Sequence, residues 1–409
     1  MNALLLVLSR LCPGPSSILV ISMRFAFLTS LAFAASLSLA VATSEDAPDV
    51  SLSSRIRGAY FGALVSDALC LGSHYEYDAP KIKAAYGGKS IEKYMAPGEQ
   101  MGGETHGVGW GARNYHPGTV AGDQTDYGEY NVLILEHLAD TVDNPRMFDV
   151  SEFIPLWKER LTSGWKQWIC TQTKKTYQQI AQGASTDELG GNSNAMALRY
   201  ASVFAYYDTE EEVVEAARKT MFTHRERTAH LGCEFFARVT FHIIHSGISP
   251  LEAIKEVAAK SDPWIQSKVK QALDKVAEAT NDENPLSKEE FVDDLALTSM
   301  ARLWDVGKTE PIKVGKASPT EGTLPGSIYF IVKYQDDFVG AIKANAMVGG
   351  DNASRAIAIG MVLGASVGVD AIPPAFKAGL NQWEHSEELL SKLPLLQGDH
   401  IENKSEGEL

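Results

Sequence analysis

The sequence predicts an all-α protein, a single orthogonal helical bundle, and three observations carry that expectation. Nearly every periodic segment repeats its apolar residues at helical spacing, and alternating apolar–polar runs are missing. Two segments at opposite ends of the chain, Gly58-Gly62-Ser66-Cys70 and Ala356-Gly360-Gly364-Gly368, carry small residues at every fourth position. Several clusters of glycine and oxygen-bearing side chains run directly into apolar helical segments, as helix starts do.

In chain order, Met23-Arg24 and the apolar run FAFLTSLAFAASLSLAVA form a secretory signal pattern that ends in the small residues Ala40-Val41-Ala42. Residues 1–42 are therefore expected to be a signal region, with Met23 as an alternative start and Thr43 as the first mature residue. No stable membrane anchor is expected, and the product is secreted or lumenal. Residues 43–53 read as a polar linker, 54–395 as one helical domain, and 396–409 as a polar tail. The tail carries the sequon Asn403-Lys404-Ser405 and ends in EGEL, which shares only its last two residues with a retention signal.

The first helix runs from about Ser54 to Leu71, with its small-residue ridge along one face. A mid-helix glycine costs roughly 1 kcal/mol against alanine, so two ridges of them call for close approach of another helix. Mutual packing of the two ridges is one solution; packing of each on a different element is the other. From Pro97 to Gly122 the chain is a glycine-rich loop, in which Trp110 and Tyr115 either stack on a base or sugar or anchor the loop. The stretch Gly122-Asp123-Gln124-Thr125-Asp126-Tyr127-Gly128 then leads into the helix EYNVLILEHLAD. Amphipathic helices follow in WKERLTSGWKQWI and KKTYQQIAQG. A turn at Gly190-Gly191-Asn192-Ser193-Asn194-Ala195 precedes MALRYASVFAYY, also read as a helix. Thr223-His224-Arg225 closes the helix EEVVEAARKTMF, and further helices cover AHLGCEFFARVTFHIIHSG, PLEAIKEVAAK, DPWIQSKVKQALDKVAEA and the two halves of TLPGSIYFIVKYQDDFVGAIKANAMV.

Composition narrows the partners. A net charge of −15 over 409 residues argues against nucleic acid or an anionic membrane surface. Beyond the signal region only Cys70, Cys170 and Cys233 remain, so at most one disulfide can form and no zinc-thiolate spacing exists. His242 and His245 lie on one helix without an acidic neighbour or third ligand, and read as packing residues.

Chemistry concentrates in hard oxygen ligands. Gly349-Gly350-Asp351-Asn352-Ala353-Ser354 opens the last apolar helix, and Thr125-Asp126 opens an earlier one. Asp, Asn, Ser and Thr are the residues of helix caps. They are also the ligands of magnesium or calcium, and two such loops brought together would make a shared cation site.

At these residues the chain resembles the ADP-ribosylglycohydrolase family. GALVSDAL, GDQTDYG, GNSNA with THRERTAH, and GGDNASRAIAIGMVLGASVG occur in the family's order, over residues 54–375. The resemblance implies an all-α fold of the ADP-ribosylglycohydrolase type, shared by the dinitrogenase reductase-activating glycohydrolases and the non-enzymatic J-type crystallins. GALVSDAL is similar to the family's GALxGDALG helix, with Ser66 in place of glycine. The other two glycine–oxygen loops are similar to its TDDT and GGDTDT loops, which hold two magnesium ions in the enzymes. Here Thr125, Asp126 and Asp351 match, Tyr127 and Ala353 stand where aspartates belong, Asn352 replaces threonine, and Ser354 stands for the final threonine. The GGDN form and HYEYD resemble most the branch containing the J-type crystallins and selenoprotein J.

The resemblance implies a hydrolase that binds an ADP-ribosyl group or related riboside and cleaves its glycosidic bond. The alternative is a ligand-binding or structural, crystallin-like protein without catalysis. Asp126 and Asp351 are the expected catalytic residues. Thr125, Asp126, Asp351, Asn352 and Ser354 are the expected ligands of at most one ion, Mg2+ or else Ca2+. Asn192, His224, Glu76 and Tyr115 are expected on the substrate side.

Overall fold

The computed structural model describes residues 50–107, 111–303 and 312–397. The signal region, the start at Thr43, most of the 43–53 linker, the Asn403 sequon and the terminal EGEL lie outside the described residues. The described helices are α1 (Leu52–Cys70), α2 (Ala79–Ala85), α3 (Asp126–Asp140), α4 (Val150–Thr162), α5 (Thr171–Ala181), α6 (Glu210–Thr220), α7 (Arg227–Ser246), α8 (Pro250–Lys260), α9 (Pro263–Thr280), α10 (Val292–Met300), α11 (Thr320–Lys333), α12 (Phe338–Val348), α13 (Asn352–Val367), α14 (Pro374–Gly379) and α15 (Trp383–Leu390). Their starts follow local chemistry. Ser51 caps α1 by accepting from the Ser54 amide at 3.2 Å. Ser249 and Glu252 form a reciprocal capping box on α8, and Pro263 takes the first position of α9 behind the Asp262 cap. The fold is all-α.

Helices α1 and α13 form its centre, and both are buried on every face over most of their length. Their ridges meet. A Cβ on Gly58 would lie 2.1 Å from the Gly364 carbonyl oxygen, and one on Gly62 would lie 2.2 Å from that of Gly360. The two backbones touch directly, which only glycine permits. The register, Gly58 against Gly364 and Gly62 against Gly360, is antiparallel. It therefore sets the last turn of α1, with Asp67, beside the first turn of α13, with Asp351.

Two of the expected helices need correction, and the first, WKERLTSGWKQWI, is helical only to Thr162, where α4 ends. Short strands do occur: Thr105–Gly107 pairs antiparallel with Gly111–Arg113, and Arg302–Leu303 with Ile312–Lys313. MALRYASVFAYY is not an α-helix. It is a buried irregular segment with a single 3-10 turn at Val203–Ala205. Its Met, Ala, Leu and Arg residues favour helix, but the Asn131 side chain on α3 replaces the helical hydrogen bonds. Asn131 Nδ2 donates to the Leu198 carbonyl at 3.1 Å, and its Oδ1 accepts from the Ala201 amide at 3.0 Å. An extended path there turns Arg199 toward the first turn of α3.

Candidate active site

The site is built where α1, α3 and α13 converge. Gly122 opens the loop before α3 with φ +86°, and a Cβ there would strike the Gly379 carbonyl at 2.1 Å. Thr125 caps α3, and Asp67 grips it twice: the Thr125 amide donates to Oδ2 at 2.7 Å, and its hydroxyl to Oδ1 at 2.6 Å. With the loop pinned, Asp126 turns inward at the start of α3. It is 7% exposed, and its buried Oδ1 has no hydrogen-bond partner. Burial, then the charges of Asp351 and Asp67, pushes the Asp126 carboxyl well above the ordinary carboxylate range.

Asp351 arrives from the opposite direction. Gly349 and Gly350, at φ +68° and +70°, turn the chain into α13, and Asp351 caps that helix by accepting from the Ser354 amide at 3.3 Å. Two further donors reach its carboxylate. The Tyr127 hydroxyl donates to Oδ2 at 3.0 Å, and His74 Nε2 lies 3.2 Å from Oδ1. Behind His74 stands His116, with Nε2 at 2.8 Å from His74 Nδ1, and the Trp168 amide donates to His116 Nδ1 at 3.3 Å. That amide fixes the proton arrangement. His116 accepts at Nδ1, and burial and the neighbouring His74 hold it well below the ordinary imidazole range, hence neutral. Its proton is on Nε2 and points to His74, which in turn donates from Nε2 to Asp351.

Asp126, Tyr127 and Asp351 line a cavity of about 240 Å3 that Asn192, Arg199 and His224 line as well. Of the residues expected from sequence, the fold thus brings Asp126, Asp351, Asn192 and His224 to one space. The others are engaged in hydrogen bonds of their own, and Asn352 Oδ1 is buried without a partner. The Thr125 hydroxyl is held by Asp67. The Asn352 amide donates to Ser73 Oγ and the Ala346 carbonyl, and Ser354 Oγ donates to the Asp351 carbonyl. Glu76 is buried against Lys81 and the Asp78 amide. Tyr115 donates to the Gly111 carbonyl, and its ring is 4.8 Å from that of Tyr75. It stands behind Tyr75, which itself faces the cavity.

Sequence reasoning missed Asp67, His74, His116, Arg199 and Cys170. Asp67 was visible inside GALVSDAL, as a lone acid in an apolar helix. His74 stood in the quoted HYEYD motif, but nothing in the sequence joined it to His116, and the two meet only through the fold. Among the described residues, His74, His116 and Asp126 bring ligand atoms within 4.8 Å of one another, a group able to hold a metal ion. The free Oδ1 of Asp126 is the observation that favours this. That oxygen is buried and has no hydrogen bond of its own.

Fold and site together define an all-α protein with paired carboxylates on a cavity that opens to solvent. The family model described as ADP-ribosylglycohydrolase matches residues 48–402, and the chain belongs to the ADP-ribosylglycohydrolase family. Membership supports a hydrolase role on glycosidic bonds. A solved structure titled "ADP-ribosylglycohydrolase-related protein complex" is similar, with TM-score 0.52 and 19% identity, covering 85% of this chain and 98% of that chain. At that identity the likeness shows the shared fold. Comparison with curated proteins finds no match.

Proposed function

We propose that the protein cleaves the glycosidic bond of an ADP-ribosyl group or a related riboside. The observation that carries this reading is the unpartnered, buried Oδ1 of Asp126, a residue that lines the cavity. A buried polar atom without a partner costs about 1–3 kcal/mol, and a bound ligand or ion at that oxygen would recover it. Asp351, fixed by three donors, faces the same space. Two carboxylates on one cavity can stabilise the oxocarbenium-like charge that develops as the bond breaks, and one of them can draw a proton from the attacking water. Asn192 and His224 line the substrate side.

The side chains suit one divalent ion rather than two. Asp126 Oδ1 would meet it, magnesium or else calcium, and it would supply positive charge beside the departing group, while His74 and His116 stay engaged in the hydrogen-bond chain to Asp351. A second ion has no free ligand set, since Asp351 accepts from His74, Tyr127 and Ser354, and Tyr127 is a neutral phenol. Within the family we place the chain nearest the J-type crystallin and selenoprotein J branch, on GGDN and HYEYD, and in the secretory pathway, on the N-terminal pattern. N-terminal sequencing of secreted material should start at Thr43.

A second reading has its own support. The hydrogen-bonded state of Asp351 also suits a site that binds its ligand without turnover. Incubation with O- and N-linked ADP-ribosyl peptides, with and without Mg2+, separates the two. Release of ADP-ribose by the parent and none by Asp126→Asn is expected. Calorimetric binding of ADP-ribose with no release from any linkage would leave the binding protein, and neither release nor binding would end both readings.

A further inference from the structure

Across the cavity from the carboxylates lies a thiol that the proposed chemistry does not use. Cys170 is half-buried and lines the cavity, whereas Cys70 and Cys233 are buried. It is the cap of α5, an eleven-residue helix, and its sulfur accepts from the Thr173 amide at 3.4 Å. His224 Nε2 stands 3.7 Å from the same sulfur. His224 is oriented from behind: its Nδ1 is 2.8 Å from Thr223 Oγ1, which accepts from Arg199 Nη1 at 2.7 Å. With Arg199 donating to that hydroxyl, Thr223 is left to donate its hydrogen to Nδ1. The ring proton is then on Nε2, aimed at Cys170. Burial and the adjacent Arg199 keep this ring neutral.

The sulfur therefore faces two N–H donors at the start of a helix, and its own hydrogen is directed at Thr173 Oγ1 at 3.3 Å. Those donors and the helix start can hold charge that develops on sulfur as it attacks. The space in front of it is built for an occupant. Asp126 and Arg199 line the same cavity, 7% and 4% exposed, and each keeps a buried polar atom without a partner, Asp126 Oδ1 and Arg199 Nε.

We propose that Cys170 is a thiol–disulfide exchange site inside the cavity, modified by small disulfides. The Cys170 proton passes to solvent. The Sγ lone pair attacks one sulfur of the disulfide RSSR, a new S–S bond forms, the reagent's S–S bond breaks, and RS⁻ leaves as a thiolate. Cys170 is oxidised and half of the disulfide is reduced, with no other reactant. His224 Nε2–H and the Thr173 amide hold the sulfur's charge on the way to the transition state. The attached RS group occupies the cavity, so modification excludes the cavity's ligand.

The test compares the full chain folded and unfolded, using 5,5′-dithiobis(2-nitrobenzoate) as the disulfide. The rate is read at each cysteine by peptide mapping, which separates Cys170 from Cys12 near the N-terminus. Cys170 should react about tenfold or more faster in the folded protein than in urea, because the donors exist only in the fold. Cys70 and Cys233 should show the reverse order. His224→Gln should remove most of the acceleration, and Cys170→Ser should remove the fast phase. A Cys170 that reacts no faster folded than unfolded overturns the proposal, as does a fast phase that survives Cys170→Ser. The folded-to-unfolded ratio is measured on the parent protein, so it still decides the matter if the His224→Gln chain fails to fold. It needs no ADP-ribosyl ligand either, and its outcome is separate from that of the hydrolase reading.

Discussion

Asp67 shows what a single buried charge does to this molecule. Burial pushes its carboxyl up to about 7 from 3.8, against the opposing pull of the Thr125 donors. Between those two values the folded chain binds more protons than the unfolded one, so this group's contribution to stability falls as pH rises. It is fully present below about pH 4 and is lost by about pH 7. Urea titrations at successive pH values should show that decline, and Asp67→Asn should flatten it. An unchanged slope in the variant would place the titration on another group, with Asp126 the next candidate. The same residue holds the loop that delivers Asp126. Thr125, expected to be an ion ligand, donates both its amide and its hydroxyl hydrogen to the Asp67 carboxylate and so ties the loop to α1.

Among the elements, the α1–α13 pair decides where everything else can be. A Cβ at Gly62 or Gly364 would sit within 2.2 Å of a carbonyl oxygen on the partner helix. No side-chain rearrangement can relieve a clash with backbone, so even alanine must spread the helices. Gly62→Ala and Gly364→Ala should each cost on the order of 3 kcal/mol, the upper end of overpacking effects, read as a fall in the denaturant midpoint. The shift would also separate Asp67 from Asp351 and weaken any ion or ligand binding at the site. Variants that unfold at the parent midpoint would mean that the two backbones are not in contact. The 195–202 segment makes the opposite point. There a single asparagine on α3 supplies the hydrogen bonds a helix would have made, and local propensity yields to one tertiary contact.

For the whole molecule, the number of ions is the quantity that separates this chain from an enzyme with a full carboxylate set. Metal analysis after dialysis against Mg2+ or Ca2+ should return one ion per chain or fewer. Tyr127→Asp should raise the count, because it removes a phenol that donates to Asp351 and adds a carboxylate facing the cavity. Two tightly held ions in the parent protein would return it to the ordinary two-ion pattern. An unchanged count in the variant would mean that Tyr127 does not stand in the second position.

Several features were legible before any coordinate. Helical periodicity gave the fold class, and glycine spacing gave the two ridges, since a residue that weakens its own helix is kept only where backbones must touch. Asp126 and Asp351 were legible because each stands at a helix start after glycine, a local pattern. What the sequence left undecided was which of their neighbours face the cavity. Asn352 and Ser354 are one and three positions from Asp351, yet the first helical turn directs their polar atoms to Ser73 and the Asp351 carbonyl. His74, His116 and Cys170 come from three distant segments with no shared spacing, and their meeting depends on the register of α1 against α13 and on the path of the loops between. Hydrogen-bond partners across such distances are set by packing, and packing is a property of the folded chain alone.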